Sequence, residues 1–258
     1  MASPRTHAGA EGAAGAEGVG PAGPDGPDGP DRAPDEVRRR LAVALDVDDL
    51  VAAQRLARQL EPWFGVAKVG LELFGAAGPE AVGTLRDLGL EVFADLKFHD
   101  IPTTVGRAAH VVGALGVRYL TIHAAGGSAM LRAGVEGLRA GAADAGLPDP
   151  VALGVTILTS EPEANVHVLH QRVTAGLEAG CGGFVCAVPD VHEVRQLAPR
   201  AVLVTPGIRP EGAPTDDQGR VATPAGALAA GSDVLVVGRP VTRAADPAAA
   251  ARRLVAEL

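Results

Sequence analysis

Aromatic side chains are scarce in this sequence. Phe, Trp and Tyr together make up 3% of the residues, whereas hydrophobic residues as a whole make up 47%. A core without many large rings must be built from Ala, Val and Leu, and these small side chains suit closely packed, alternating strands and helices. The length of 258 residues allows one large domain or two small ones.

Cysteine and positive charge are also in short supply. Cys181 and Cys186 are spaced neither as a thiol redox pair nor as half of a zinc site, and the scarcity of cysteine favours a reducing compartment. The net charge of −8 makes duplex nucleic acid and anionic membranes poor candidates for partners. The sequence shows no signal peptide and no apolar run of membrane-spanning length. We therefore expect a cytoplasmic protein, in which a local site for a small anion remains possible.

The N-terminal segment has a composition of its own. Residues 1–36 are almost entirely Ala, Gly, Pro, Glu and Asp, and residues 23–31 repeat the triplet Gly-Pro-Asp. Such a segment cannot bury enough apolar area to offset the entropy lost on ordering. We expect a disordered tail over residues 1–36 without a catalytic role, followed by one folded domain over residues 37–258.

Short, continuous apolar runs recur from residue 41 onward. They occupy residues 41–45, 66–69, 91–94, 119–122, 151–157, 183–187, 201–204 and 234–237. Stretches with helical spacing lie between them, as at residues 51–60, 81–88, 105–115 and 130–143. Continuous runs indicate strands of a parallel sheet that is buried on both faces. Eight such strand–helix units predict a (β/α)8 TIM barrel, and a doubly wound open sheet is the alternative.

Polar residues lie at the ends of most of these runs. Active sites of such barrels lie at the carboxyl ends of the strands. The candidate site residues are therefore Asp46, Lys68, Asp95, Lys97, His123, Thr159, Arg209 and Arg239.

Asp95 and Lys97 are the most informative of these residues. They are two positions apart, so on an extended backbone their side chains share one face of the strand. An isolated pair of this kind is usually a weak surface ion pair. Here Lys68 and Asp46 would point into the same barrel mouth, with Asp100 on the following loop. Alternating signs would allow each charge to be buried beside a partner.

Two glycine–arginine pairs follow the seventh and eighth runs. They are Gly207 with Arg209 and Gly238 with Arg239. The loops after these two strands commonly bind phosphate in TIM barrels. Glycines allow close approach of the backbone, and arginines bind phosphate oxygens in bidentate fashion. The sequence therefore predicts a phosphate site at this end of the mouth.

The segment around Asp95 and Lys97 resembles that of a known family. Residues 93–104 (FADLKFHDIPTT) look like the signature segment of orotidine 5′-monophosphate decarboxylases. Supporting motifs follow the family's order at residues 44–46, 67–70, 155–160, 204–209 and 237–240. The resemblance covers about residues 41–248. Thr103 departs from the pattern, since Asn is commoner there. The resemblance implies a carboxy-lyase that converts orotidine 5′-monophosphate to UMP and CO2 without metal or cofactor, as the last step of de novo pyrimidine synthesis.

The resemblance also implies a role for each charged residue. Lys97 would donate the proton to C6 of the pyrimidine, and Asp95 would lie beside the substrate carboxylate. Lys68 would hold Asp95 and contact the ribose, while Asp46 would bind a ribose hydroxyl. Asp100 would also be catalytic, but it would act in the neighbouring subunit.

Further residues would bind the nucleotide or complete the neighbouring site. Asp100, with Ile101 and Thr104, would reach across the interface of a homodimer with shared active sites. The remaining residues implied for the substrate lie in the later loops. Thr159 would meet the pyrimidine, and the 5′-phosphate would be bound by Arg209, Gly238, Arg239 and, from a closing loop, Gln218.

Two other functions remain open at this stage. Sugar-phosphate enzymes of the same barrel group share Asp-x-Lys-x-x-Asp but use Mg2+ and carry an acid where Lys68 stands. A nucleotide sensor would bind UMP-like ligands without releasing CO2, but it would not need to keep Lys97. His99 and His123 are better explained as structural residues than as catalysts or metal ligands.

Overall fold

The computed structural model of the chain describes residues 31–158, 165–210 and 222–258. Within these ranges eight parallel strands form a closed barrel, and each strand pairs with its neighbours in sequence. The strands are β1 (Leu41–Ala44), β2 (Val66–Val69), β3 (Glu91–Phe98), β4 (Tyr119–His123), β5 (Val151–Val155), β6 (Gly183–Val185), β7 (Val202–Thr205) and β8 (Val234–Val237). Because β1 also pairs with β8, the predicted TIM barrel is confirmed and the open sheet is excluded.

The eight apolar runs all contain strands at the predicted places. The largest difference is in β3, which was expected to end at Ala94 but continues to Phe98. The extension carries Asp95 and Lys97 within the strand rather than after it. Its pairing with β4 is irregular, because the register shifts between Ala94 and Phe98.

Helices surround the barrel and connect the strands. They are α1 (Asp35–Arg38), α2 (Leu50–Leu60), α3 (Leu71–Ala77), α4 (Glu80–Asp87), α5 (Pro102–Ala114), α6 (Gly127–Asp144), α7 (Val166–Ala179), α8 (Val188–Leu197), α9 (Pro224–Ala229), α10 (Arg239–Thr242) and α11 (Pro247–Ala256). Within the described ranges, none of them is both long and apolar enough to span a membrane.

Short polar side chains define where several helices begin. The carboxylate of Asp49 accepts hydrogen bonds from the backbone N–H groups of Val51 and Ala52 at the start of α2. Asp246 and Thr223 cap α11 and α9 in the same way. Each cap satisfies a backbone donor that the helix itself cannot pair, and is worth about 1 kcal/mol.

The barrel interior is filled mainly by small and branched side chains, as the composition predicts. Its buried cluster consists of Ala42, Ala44, Val66, Phe93, Tyr119, Leu153, Val204, Val234 and Val236. The two rings, Phe93 and Tyr119, meet edge to face with their centroids 5.9 Å apart. A second, larger layer of buried residues lies between the strands and the helices.

The amino-terminal end of the barrel is covered by residues 31–40. Arg38 is buried there and forms ion pairs with Glu61 at 2.6 Å and Asp35 at 2.8 Å. Ala33 is also buried, and its N–H donates to the carbonyl of Pro62. Residues 31–36, which the sequence analysis assigns to the tail, therefore pack on the barrel. The rest of the predicted tail, residues 1–30, lies outside the described part of the chain, so for these residues the tail stays a prediction.

Helices α5 and α6 pack together unusually closely. A methyl group on Gly141 would overlap the backbone carbonyl oxygen of His110, and one on Gly137 would overlap that of Gly106. Glycine is therefore required where the two helix backbones meet. Since α5 follows β3, this contact also fixes the helix that begins after the Asp95–Lys97 segment.

We predict that Gly141→Ala lowers the free energy of unfolding by about 2 kcal/mol, because the added methyl group forces the two backbones apart. The matched control is Gly83→Ala in α4, where an added methyl group meets no atom within 4 Å. That change should stabilise by about 0.5 kcal/mol through reduced freedom of the unfolded chain. Urea denaturation of both variants measures the difference, and equal stabilities would contradict the close-packing argument.

Candidate active site

The carboxyl ends of the strands surround a cavity of about 420 Å3. Of the residues predicted for the site, seven line this cavity: Asp46, Lys68, Asp95, Lys97, Arg209, Gly238 and Arg239. Thr159 and Gln218 lie outside the described residues. The cavity thus brings together side chains from the first, second, third, seventh and eighth strands or the loops that follow them.

Asp95 is held between two ammonium groups. Lys97 Nζ lies 2.8 Å from Asp95 Oδ1, and Lys68 Nζ lies 3.6 Å from Asp95 Oδ2. Lys68 Nζ also donates to Asp46 Oδ1 at 3.1 Å. The side chains of Asp95 and Lys68 are 14% and 11% exposed, whereas that of Asp46 is 57% exposed. The signs therefore alternate along the array as predicted, and the two central charges are largely buried.

The backbone at Lys97 is strained. Its φ is 49°, in the left-handed region, and it is the one non-glycine residue of the described chain with positive φ. The extended backbone that was expected to put Asp95 and Lys97 on one face is therefore interrupted at Lys97. The Lys97 N–H leaves the strand ladder and donates to Thr121 Oγ1 at 2.9 Å. A conformation of this kind costs about 1–3 kcal/mol and persists only where its surroundings enforce it.

Thr121 is a site residue that the sequence analysis missed. It is fully buried on β4, and its hydroxyl donates to Asp95 Oδ1 at 3.0 Å while accepting from the Lys97 N–H. One side chain therefore fixes both the Asp95 carboxylate and the Lys97 backbone. The sequence feature that could have indicated Thr121 is that it is a threonine within the otherwise apolar run at residues 119–122.

Asp95 remains ionised despite its burial. Burial alone would raise the pKa of its carboxyl group, but the charges of Lys68 and Lys97 and the hydrogen bonds from Lys97 and Thr121 bring the pKa below its usual range. A carboxyl group whose pKa is lowered in the folded state stabilises the fold at neutral pH. That contribution is lost as the pH falls through the folded-state pKa, below the ordinary value of about 3.9.

The segments that follow β7 and β8 carry the arginines of the cavity wall, and we call this part of the cavity the arginine end. Arg209 is 5% exposed, and its N–H donates to the Ala222 carbonyl at 2.9 Å. Gly207, two residues before it, has a φ of 82°, which favours glycine. Arg239 begins α10 directly after Gly238. Arg243, at the end of α10, also lines the cavity and was not predicted.

The rest of the cavity wall is mostly apolar. It includes Val155, Ile157, Leu158, Val185, Cys186, Ala187 and Val236. Burial raises the pKa of the Cys186 thiol to about 12, so it is a neutral thiol at physiological pH. Cys186 is therefore a small wall residue rather than a nucleophile.

Asp100, Ile101 and Thr104 do not line the cavity of their own subunit. All three are exposed, Ile101 to 66%. Asp100 Oδ1 accepts from the Ile101 N–H at 2.7 Å, which orients the turn before α5. Their contribution to a neighbouring subunit's site stays a prediction.

None of the histidines in residues 31–258 that the structure describes lines the cavity. The rings of His99 and His123 are neighbours, with centroids 5.4 Å apart, and His170 Nε2 lies 2.5 Å from Glu193 Oε1 between α7 and α8. Among the residues that the structure describes, no three His, Cys, Asp or Glu side chains are grouped so that they could hold a metal ion.

We predict that Thr121→Val raises the pKa of Asp95 towards its ordinary value, because a hydrogen bond to the ionised form is removed. Titration of the Asp95 carboxyl carbon by 13C NMR measures the change. The matched control is Thr205→Val, another fully buried threonine, whose hydroxyl instead pairs with Ser232 at 2.6 Å. An unshifted Asp95 titration in Thr121→Val would contradict the assigned hydrogen bond.

Comparisons with known proteins agree with this geometry. Residues 39–254 match the model of the Orotidine 5'-phosphate decarboxylase / HUMPS family. The chain is 47% identical over 232 residues to the orotidine 5'-phosphate decarboxylase of Moorella thermoacetica, covering 85% of this chain and 92% of the relative. It is 48% identical over 225 residues to that of Anaeromyxobacter sp. strain K, covering 85% and 98%.

A solved structure gives the same result for the fold. The orotidine 5'-phosphate decarboxylase of Lactobacillus acidophilus superposes with a TM-score of 0.72 at 34% identity, covering 85% of this chain and 98% of that one. The family match spans nearly the whole barrel, including every described residue of the charged array. The chain therefore belongs to the Orotidine 5'-phosphate decarboxylase / HUMPS family.

Proposed function

We propose that this chain decarboxylates orotidine 5′-monophosphate to UMP in pyrimidine biosynthesis, with neither a metal nor a cofactor. The observation that carries the proposal is the buried array in which Asp95 lies between Lys68 and Lys97. The family and the names of the relatives support the same reaction.

The array supplies what this decarboxylation needs. When the bond between C6 and the carboxylate breaks, its electron pair stays on C6 and CO2 leaves. The resulting carbanion has no adjacent carbonyl to take up the charge, so fixed positive charge is the main means of stabilising it. The Lys97 ammonium both opposes the developing charge and gives its proton to C6. Solvent then reprotonates the Lys97 amine.

A lysine is required for this step, since the pKa of a guanidinium is too high for it to give up a proton. The chain contains only two lysines, Lys68 and Lys97, and both line the cavity. All other basic side chains apart from histidine are arginines. This distribution supports a role for Lys97 that an arginine could not fill.

Asp95 and Lys68 support Lys97 in different ways. Asp95 Oδ1 fixes the position of the Lys97 ammonium and, being ionised, repels the carboxylate of the bound substrate. That repulsion disappears when neutral CO2 forms, and we treat it as a secondary contribution. Lys68 keeps Asp95 ionised, and Lys68 and Asp46 are proposed to bind the ribose hydroxyls.

The arginine end is proposed to hold the 5′-phosphate. Arg209, Gly238 and Arg239 line the cavity from the segments that follow β7 and β8. Binding energy from this remote group can be used to close and desolvate the reacting end. Thr159 and Gln218 are proposed to assist at the pyrimidine and the phosphate.

Lys68 also supports a metal-free reaction over the Mg2+-dependent sugar-phosphate alternative. Its ammonium lies 3.1 Å from Asp46 and 3.6 Å from Asp95, between the carboxylates that a divalent cation would need. A cation bound there would be repelled by this charge. The sensor alternative is disfavoured because a binding protein has no need of the strained Lys97.

A homodimer with shared sites is supported by the rim of the barrel. Val51, Leu71 and Ile101 are 72%, 64% and 66% exposed. They lie at or just before the first turns of α2, α3 and α5, which follow β1, β2 and β3, and so they belong to the end of the barrel on which the cavity opens; we call them the apolar rim. A second copy of the chain would cover this rim and bring its Asp100 and Thr104 to the site.

The composition of the chain supports two further proposals, which are that the protein is cytoplasmic and that it does not bind nucleic acid.

We predict that the chain decarboxylates orotidine 5′-monophosphate in the presence of EDTA, which is measured as a fall in the ultraviolet absorbance of the substrate. Lys97→Arg should lower kcat by about 10³-fold or more, since the charge remains but the proton donor is lost. Binding of UMP by the variant is the control for an intact site. No turnover by the unchanged protein would refute the decarboxylase proposal, and full activity of Lys97→Arg would refute the role of Lys97.

Mixing inactive variants tests the shared site. Subunits with Lys97→Ala and with Asp100→Ala should recover roughly a quarter of the activity, because half of random dimers are hybrids with one intact site. The matched control combines Lys97→Ala with Asp95→Ala, two changes proposed to affect the same subunit's site, and should recover nothing. Equal recovery in both mixtures, or in neither despite proven exchange, would contradict the shared site.

A further inference from the structure

Strand β3 carries more residues than β4 where the two strands pair. The pairing of Ala94 with Leu120 is followed directly by that of Phe98 with Ile122. The three residues of β3 between these pairs therefore lie opposite a single residue of β4, Thr121. An irregularity of this kind removes regular ladder partners and changes the direction of the side chains. Two of the three residues are charged residues of the site, so whatever holds this bulge also holds them.

The Thr121 hydroxyl takes the place of a ladder partner for the bulge. It accepts from the Lys97 N–H at 2.9 Å and donates to Asp95 Oδ1 at 3.0 Å. The first and the last residue of the bulge are thus joined through one oxygen atom. Thr121 is fully buried, so bulk water does not compete for these hydrogen bonds. A valine here would have nearly the same shape but would leave the Lys97 N–H without this acceptor.

The Asp95 carboxylate is held on both of its oxygens. Oδ1 accepts from Lys97 Nζ at 2.8 Å and from the Thr121 hydroxyl at 3.0 Å, while Oδ2 lies 3.6 Å from Lys68 Nζ. Rotation of the carboxylate would therefore disturb contacts with three side chains. Asp95 is in this way fixed in orientation, and it fixes the Lys97 ammonium in turn.

The contact of Thr121 with Asp95 is one that the proposed reaction leaves intact. When an N–H bond of the Lys97 ammonium breaks and a C–H bond forms at C6, Lys97 becomes a neutral amine and a weaker donor to Asp95. The Thr121 hydroxyl still donates to Asp95 Oδ1 during this step. Asp95 therefore stays in place to hold the ammonium again once solvent has reprotonated the amine.

We propose that Thr121 is a positioning residue for the proton transfer, which holds the Lys97 backbone and the Asp95 carboxylate so that the Lys97 ammonium is directed at C6. The proposal rests on the proposed function, since it concerns the proton donor of that reaction. Thr121 does not line the cavity, so it acts through Asp95 and Lys97 and not on the substrate itself. Its effect belongs in kcat and not in KM.

The test compares Thr121→Val, which removes the hydroxyl, with Thr121→Ser, which keeps it, in the full chain. Thr121→Val should lower kcat about 10- to 100-fold with KM changed by less than about twofold, because a small displacement of the proton donor is enough for such a loss. Thr121→Ser should keep kcat within about threefold of the unchanged protein. The matched control is Thr205→Val, which removes another fully buried hydroxyl and should leave kcat nearly unchanged.

A second measurement uses the two lysines of the chain. Labelling with 15N-lysine gives only two backbone amide signals, from Lys68 and Lys97. In Thr121→Val the Lys97 amide loses its acceptor and should exchange with solvent about 10-fold faster or more. The Lys68 amide, in the regular ladder between β1 and β3, should be unaffected and is the internal control. Thr121→Ser should protect the Lys97 amide as the unchanged protein does.

Several results would overturn the proposal. They are an unchanged kcat in Thr121→Val, an equal loss of kcat in Thr121→Ser, an effect on KM alone, and an unchanged exchange rate of the Lys97 amide. If Thr121→Val does not fold, Thr121→Ala, a second variant without the hydroxyl, gives the same comparison. The exchange measurement needs no turnover. It therefore tests the hold of Thr121 on Lys97 even if the unchanged protein is inactive, in which case the proposed function fails separately.

Discussion

The site depends on one constraint, which is that a buried carboxylate must be paired. Asp95 can be ionised inside the barrel mouth only because Lys68 and Lys97 lie on either side of it and Thr121 donates to it. A single partner removed from such an array leaves a buried charge uncompensated, at a cost of several kcal/mol. The surrounding fold serves this arrangement. A side chain on Gly70, for example, would press against Asp46 Oδ1 and Lys68 Nζ at 3.2 Å.

The barrel brings two groups of charged side chains to one cavity, the Asp95 array and the arginines. At one end of the cavity opposite charges are balanced within the protein, so the ammonium of Lys97 is fixed before any ligand arrives. The segments that follow β7 and β8 add the guanidinium groups of Arg209 and Arg239 to the same cavity wall. The apolar wall between them limits the water that would otherwise screen both ends. A rigid, parallel barrel holds such separated groups in place because each is attached to a different strand.

Much of this could be predicted from the sequence. Continuous apolar runs identified all eight strands, and the residues at their ends identified most of the cavity wall. The left-handed conformation of Lys97 could not be predicted, because local propensity disfavours it and only the contact with Thr121 across the sheet enforces it. The α5–α6 contact was also missed, since glycines inside helical stretches do not indicate which backbone they face. Arg243 was overlooked because it lies a full helical turn beyond the family-like motif.

The restriction of lysine to Lys68 and Lys97 has a consequence for the chemistry of the whole surface. Elsewhere the basic side chains other than histidine are arginines, which react with acylating metabolites far less readily than the primary amine of lysine does. The outside of the barrel is thereby short of the nucleophiles on which such adducts accumulate. Both lysine amines lie in the cavity, each close to a carboxylate, and a bound nucleotide would shield them. The lysine reactivity of the protein is thereby confined to its cavity.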